Sequence, residues 1–224
     1  MKTLIITLLI LLALSGCSRN NKNDLAFKVF NEGVTLSLDA VNEYKKGDYE
    51  KSEELNKKAI NKFIETLKVD STHRLAPSSL GHSYYLIKDF KNGIIWYEKA
   101  LSIDSQAAIN YREYALCKIN LGDIEGGHLA FDKAFKLDPS KEIREMTILD
   151  LFDIGSLAFE YGNEYDKQGE KEKGLGYKQF SVGVLLTAYN MDSTNMDVIK
   201  KIADFTEKLG DKQTSKRFND KIKK

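Results

Sequence analysis

Five times along the chain a short segment of one form returns: GDYEKS at Gly47, KDFKNG at Lys88, GDIEGG at Gly122, GEKEKG at Gly169 and GDKQTS at Gly210. The second place is always acidic (Asp48, Asp89, Asp123, Glu170, Asp211) and the sixth always small (Ser52, Gly93, Gly127, Gly174, Ser215). Seven residues ahead of each start stands another small residue, Ala40, Gly81, Ala115, Gly162 or Ala203. An aspartate closes each complete copy, at Asp70, Asp104, Asp138 and Asp192. Recurrence of this kind marks a chain of supersecondary units, each unable to bury its apolar face alone and each completed by its neighbours. Apolar residues recur at three- and four-residue spacing from Leu36 onward, and the only prolines are Pro77 and Pro139, so the expected units are all-α.

The pattern resembles the tetratricopeptide repeat, a helix-turn-helix of about 34 residues. The resemblance is carried by SLGHSYYLIKDFKNGIIWYEKALSID, with the family's positions at Leu80, Gly81, Tyr84, Gly93, Tyr97, Ala100, Leu101 and Asp104. It implies a right-handed α-solenoid of about five units over 33–224, at 33–73, 74–107, 108–141, 155–195 and 196–224. The first and fourth units depart from the family length. Gly47 to Asp70 and Gly169 to Asp192 span 23 residues where the middle units span 16. Seven extra residues are close to two helical turns, so a second helix can lengthen and keep its apolar face in register. EIREMTILDLFDI, residues 142–154, stands before the fourth unit and is expected to extend that unit's first helix as packed structure.

In this repeat the small residues of the two helices face each other where the backbones cross. Gly93 and Gly127 are therefore read as helical packing residues despite a cost of about 1 kcal/mol in propensity, and Gly122 and Gly169 as turn glycines. A phosphate-binding reading fails, because neither GxxxxGK[ST] nor GxGxxG occurs and no strand precedes the glycines.

The first 16 residues read as an export signal: Lys2, then an uncharged apolar run from Leu4 to Leu14, too short for a comfortable membrane span. Leu14-Ser15-Gly16-Cys17 resembles the lipobox of bacterial lipoproteins, which implies cleavage before Cys17 and acylation of that residue, palmitate-type chains included. Residues 17–32 are expected to serve as lipid anchor and polar tether, and the solenoid to lie outside the cytoplasm. Ser18, not aspartate, follows the cysteine, as in enterobacterial lipoproteins sent to the outer membrane. With Cys17 acylated, Cys117 is the one remaining thiol, so stability rests on packing. Removal of the signal leaves 33 basic and 33 acidic residues, a balance that speaks against a nucleic-acid partner.

No cofactor or metal is expected. His73, His82 and His128 contain no i, i+4 pair, and Cys117 on an apolar helix reads as a small buried hydrophobe, not as a nucleophile served by His128. The aromatic residues, Tyr161 and Tyr165 among them, mostly coincide with core positions of the repeat. The basic end SKRFNDKIKK suits either a polar capping helix or anionic lipid headgroups.

Two functions are compatible with this reading: a membrane-tethered module that holds a protein partner in the cell envelope, and an enzyme or ligand receptor built on the solenoid, which would require a buried titratable cluster. In the family the concave groove is lined by positions two, five, nine, twelve and thirteen of each first helix. Carried over, these are Leu75, Ser78, His82, Tyr85 and Leu86, then Ile109, Arg112, Leu116, Ile119 and Asn120, then Ser156, Phe159, Asn163, Asp166 and Lys167. The resemblance implies a peptide or amphipathic helix in this groove, with Tyr85, Arg112 and Phe159 as anchors. Leu116 and Ile119 suit packing against the neighbouring unit equally well. A carboxylate clamp is not expected, since Ser37 and Val41 stand where the family's clamp residues would be.

Overall fold

The computed structural model describes residues 2–223, with side chains from residue 21 onward. Among the described residues the fold is all-α. Ten helices follow in chain order: α1 Lys2–Lys46, α2 Tyr49–Val69, α3 Ala76–Leu86, α4 Phe90–Ile103, α5 Ala108–Asn120, α6 Ile124–Leu137, α7 Lys141–Lys167, α8 Lys171–Met191, α9 Met196–Lys208 and α10 Lys212–Ile222. They pack as successive hairpins in two compact units, Met1–Ser105 and Gln106–Lys224.

The recurring glycine-acid pair is the hairpin turn. Gly47, Gly122, Gly169 and Gly210 all have φ between +77° and +88°, the left-handed conformation that closes a helix with two reversed hydrogen bonds. At the α5/α6 turn, for instance, the Asp123 N–H donates to the Lys118 carbonyl at 3.0 Å and the Gly122 N–H to the Ile119 carbonyl at 2.8 Å. The acid that follows caps the next helix. Asp48, Asp89, Asp123 and Asp211 accept from the backbone N–H groups of Lys51, Asn92, Gly126 and Thr214. Glu170, one methylene longer, makes no such bond. The Asp123 carboxyl is held below the usual range by the Lys118 ammonium and then by the Gly126 N–H, and Asp211 by Thr214. Lowered carboxylates contribute stability that is complete at neutral pH and lost as the pH falls through those lowered values.

Lys88 occupies the glycine position of the turn between α3 and α4 and takes φ +61° all the same. A Cβ there costs about 1 kcal/mol or more. Lys88→Gly is expected to stabilise residues 1–105 by roughly 0.5–1 kcal/mol, measured as a rise in the urea midpoint with unchanged slope. An unchanged or lower midpoint would refute the strain.

The crossings are built from small residues. At the α7/α8 crossing a Cβ on Gly174 would lie 2.7 Å from the Gly162 carbonyl oxygen, and at α5/α6 one on Gly127 would lie 3.1 Å from the Ala115 carbonyl. In the long hairpin α7/α8 a second close approach follows seven residues on along each helix, in the antiparallel register of the first. Ser181 Oγ donates to the Gly155 carbonyl at 2.5 Å, and a Cβ on Gly155 would meet Leu185 at 2.8 Å. The hairpin α1/α2 repeats the device, with Ala40 and Ser52 at one level and Gly33 and Ala59 at the other, all buried. This is how α2 and α8 reach 21 residues where α4 and α6 have 14: seven residues add two turns and bring the same face back to the partner helix.

In residues 1–105 the core is Phe30, Ala59, Ile60, Phe63, Ala76 and Leu80, flanked by Val34, Leu36 and Trp96. Residues 17–32 are therefore not tether throughout, since Ala26, Val29 and Phe30 are buried and the Phe30 ring lies 5.4 Å from Phe63. Cys17 and the leader 1–16 lie outside the residues whose side chains are described. In residues 106–224 the fully buried side chains include Leu116, Ile119, Phe131, Leu151, Leu185, Ile202 and Phe218. The segment 142–154 forms the first half of α7, and Ile143, Thr147, Ile148 and Leu151 are buried.

Candidate protein-interaction surface

Of the residues expected to line the groove, four are core. Leu116 and Ile119 have no exposed surface, and Ile119 fills the space beside Gly127 inside the α5/α6 hairpin. Arg112 is 4% exposed. Its Nε donates to Thr147 Oγ1 at 3.1 Å and its guanidinium pairs with Asp150, both on α7. Burial nevertheless holds the Asp150 carboxyl above the usual range, with Arg112 opposing it. Phe159 is 2% exposed and stacks on Phe205 of α9 with ring centroids 3.8 Å apart. Arg112 and Phe159 are thus not surface anchors: the extension of α7 covers the first and α9 the second. In residues 1–105, His82 and Tyr85 are half-buried, and the Tyr85 ring lies 5.8 Å from Phe90.

Asn120 and Asn163 stay at the surface and mark two clefts, both within residues 106–224. The first, about 400 Å³, is formed by Asn120, Leu121 and Gly122 at the α5/α6 turn and by Lys173, Gly176, Tyr177 and Phe180 of α8. Asn120 is fixed by its Nδ2 donating to the Leu116 carbonyl at 2.9 Å. The second, about 590 Å³, runs along α7 between Leu157, Glu160, Tyr161, Asn163, Glu164 and Lys167. Three tyrosines join them. Tyr177 meets Tyr161 edge-on at 6.2 Å and stacks on Tyr165 at 5.2 Å. Lys173 Nζ stands 3.9 Å from the Tyr165 ring centroid, and Tyr165, then Glu170, holds this ammonium above its usual range.

Leu121, Leu157, Tyr161 and Tyr177 are all exposed large apolar side chains. A rigid aromatic group with an aliphatic floor, a few amides and a rim of balanced charge is the composition of a protein-contact surface. Gly176 adds a second sign. It lies inside α8, yet a Cβ there would meet nothing within 4 Å, so no packing offsets its helical cost, and the bare backbone faces the cleft. The exposed Leu121, next to a turn glycine, and Gly176, outside the crossing register, are the sequence signals that point to this surface.

Among the described residues no comparable group of chemically poised side chains stands out. Cys117 is wholly buried and its thiol is pushed up to about 12 by burial and then by Glu113. His73 is occupied structurally, its Nδ1 accepting the Ala76 N–H at 3.2 Å at the start of α3, and burial holds its pKa below the usual value. Among the described residues no cluster of three or more His, Cys, Asp or Glu could hold a metal, and no helix is long and apolar enough to cross a membrane.

The sequence profile of the tetratricopeptide repeat matches residues 79–106, which cover most of α3 and all of α4. Residues 79–106 thus hold one tetratricopeptide repeat, and the turns with positive-φ glycines and the small-residue crossings recur in the other hairpins. Similar solved structures include two crystal structures of MamA. One is 17% identical, with TM-score 0.45, over 82% of this chain and 91% of that one. The other is 17% identical, with TM-score 0.46, over 86% and 91%. YrrB, described as a TPR protein with an unusual peptide-binding site, is 13% identical over 90% of both chains, with TM-score 0.47. No curated protein matches the chain.

Proposed function

We propose that the protein is a membrane-tethered scaffold of the bacterial cell envelope that holds a protein partner, as an extended peptide or an amphipathic helix, on the paired clefts of residues 106–224. The observation that carries this reading is the exposed tyrosine group between two clefts in a fold of helix hairpins with no chemically poised side chain among the described residues. The partner's apolar side chains enter the clefts, and its backbone comes close at Gly176.

The lipobox at Leu14 to Cys17 supports export, acylation at Cys17 and membrane anchoring, with the outer membrane favoured in a Gram-negative cell. Eight residues lie between Cys17 and Ala26, the first buried side chain described, about 14 Å of rise within α1. Mass spectrometry of the mature protein tests this: acyl mass on Cys17, absent in Cys17→Ala, is expected, and a cleaved chain without it sinks the anchor.

Crosslinking and affinity capture from the native membrane tests the surface. Tyr161→Ala with Tyr177→Ala is expected to cut capture of the crosslinked partner about tenfold or more, since each removes an interface aromatic, with the melting temperature nearly unchanged because both rings are exposed. Undiminished capture moves the binding site elsewhere.

A further inference from the structure

The last helix carries a charge pattern that its role as the end of the array does not require. Six basic residues and one acid lie in 212–224, so a chain of net charge +1 is −4 over everything before it. Phe218 and Ser215 are buried and fix which side of α10 faces in. At about 100° per residue, Lys212, Lys216 and Lys223 fall within about 40° of one another, and Arg217 and Lys221 complete the outward half of the helix. The Arg217 and Lys221 head groups stand 5.5 Å from the Phe218 and Tyr189 ring centroids, so their stems lie along apolar surface and their charges sit at its rim.

On several other helices some exposed lysines are matched by an acid one turn away. Lys51 and Lys58 pair with Glu54, Lys57 with Glu53, Lys141 with Glu145 and Lys208 with Asp204. On α10, among the described residues, none of Lys212, Lys216, Arg217, Lys221 and Lys223 has an ion pair. A solvated end cap is served by matched pairs, as α2 is along its exposed side. Five cations against one acid, Asp220, on the outward half of the helix leave a net positive face, which an anionic surface would neutralise.

We infer that the outward face of α10 is a contact site for the anionic headgroups of a phospholipid membrane. Four of the five cations are lysines, point charges with no fixed geometry, which suit a fluid, laterally mobile array of phosphates better than the bidentate pairing that arginine provides. The face shows no exposed aromatic on which a base could stack, since Phe218 is wholly buried, and the negative remainder of the chain opposes an extended polyanion. One lipid attachment reinforced by a basic patch is the combination that holds a peripheral protein to a membrane. The inference complements the Cys17 tether, but its test does not depend on acylation.

Protein beginning at Ser18, which keeps every core side chain described above, is mixed with vesicles of phosphatidylcholine alone or with 30% phosphatidylglycerol and sedimented. Binding to the anionic vesicles only is expected, weakened strongly between 50 and 500 mM NaCl. Lys212→Gln, Lys216→Gln and Lys223→Gln together should reduce it about tenfold or more, whereas Lys57→Gln with Lys58→Gln should leave it unchanged. Circular dichroism melts confirm that both variants are folded. No binding to anionic vesicles, or binding indifferent to the α10 substitutions, overturns the inference. Tighter binding to duplex DNA or to a polyglutamate peptide at the same salt, abolished by the same three substitutions, also overturns it and reassigns the face to another polyanion. Absence of acyl mass on Cys17 would remove the tether and leave this result standing.

Discussion

Phe159→Ala is expected to destabilise residues 106–224 by about 3–5 kcal/mol, a loss read as a fall of many degrees in the melting transition. The ring is 2% exposed and lies flat on Phe205, which is itself buried, so truncation removes the stack and leaves a cavity between α7 and α9. The amides of α9 should lose hydrogen-exchange protection first. Two residues along the same helix Tyr161 is 46% exposed, and Tyr161→Ala should shift the melt little. If Phe159→Ala melts like the parent, the burial assigned to this face of α7 is wrong and the family's groove position is restored to the surface.

Gly162→Leu is expected to cost about 3 kcal/mol or more, at the upper end for overpacking. A Cβ at this position lies 2.7 Å from the Gly174 carbonyl oxygen and 2.6 Å from Lys178 Cγ. The lysine stem can turn aside, but the carbonyl belongs to the backbone of α8 and can move only with the helix, which would also strain the Ser181 to Gly155 bond one level along the crossing. Gly176 on α8 gives the contrast, since a Cβ there is unopposed. Gly176→Ala should raise stability by about 0.5–1 kcal/mol and, if the partner's backbone comes close there, weaken capture. Equal melting temperatures for Gly162→Leu and the parent would dismiss the close crossing.

These two sites show what was legible in the sequence. The turn and the crossings could be read because each depends on the chemistry of a single position: a positive φ selects glycine, a helix start selects aspartate, and a backbone approach selects a residue with little or no side chain. The paired spacing of Gly162 and Gly174 announced a contact that the structure places at backbone distance. Burial of a first helix is different, because it depends on the length of its neighbours. Arg112 occupies a groove position of the family, yet the extension that begins at Lys141 supplies Thr147 and Asp150 to cover it. Phe159 disappears under Phe205 for the same kind of reason. Lys88 was hidden by its identity, since the turn imposes on it a conformation that its side chain disfavours. Phe30 was hidden by its position ahead of the first recurring unit, in a segment that reads as tether until His73 and Phe63 are seen against it.

The buried thiol of Cys117 has a practical meaning for such a molecule. Once Cys17 is acylated or removed, Cys117 is the one sulfhydryl of the chain. It has no exposed surface and a pKa raised to about 12, so a thiol reagent can reach it only when the α5/α6 hairpin opens. The rate of its modification, compared with that of a free cysteine, is then a clock built into the protein. It counts opening events of that hairpin without denaturant and without an engineered cysteine.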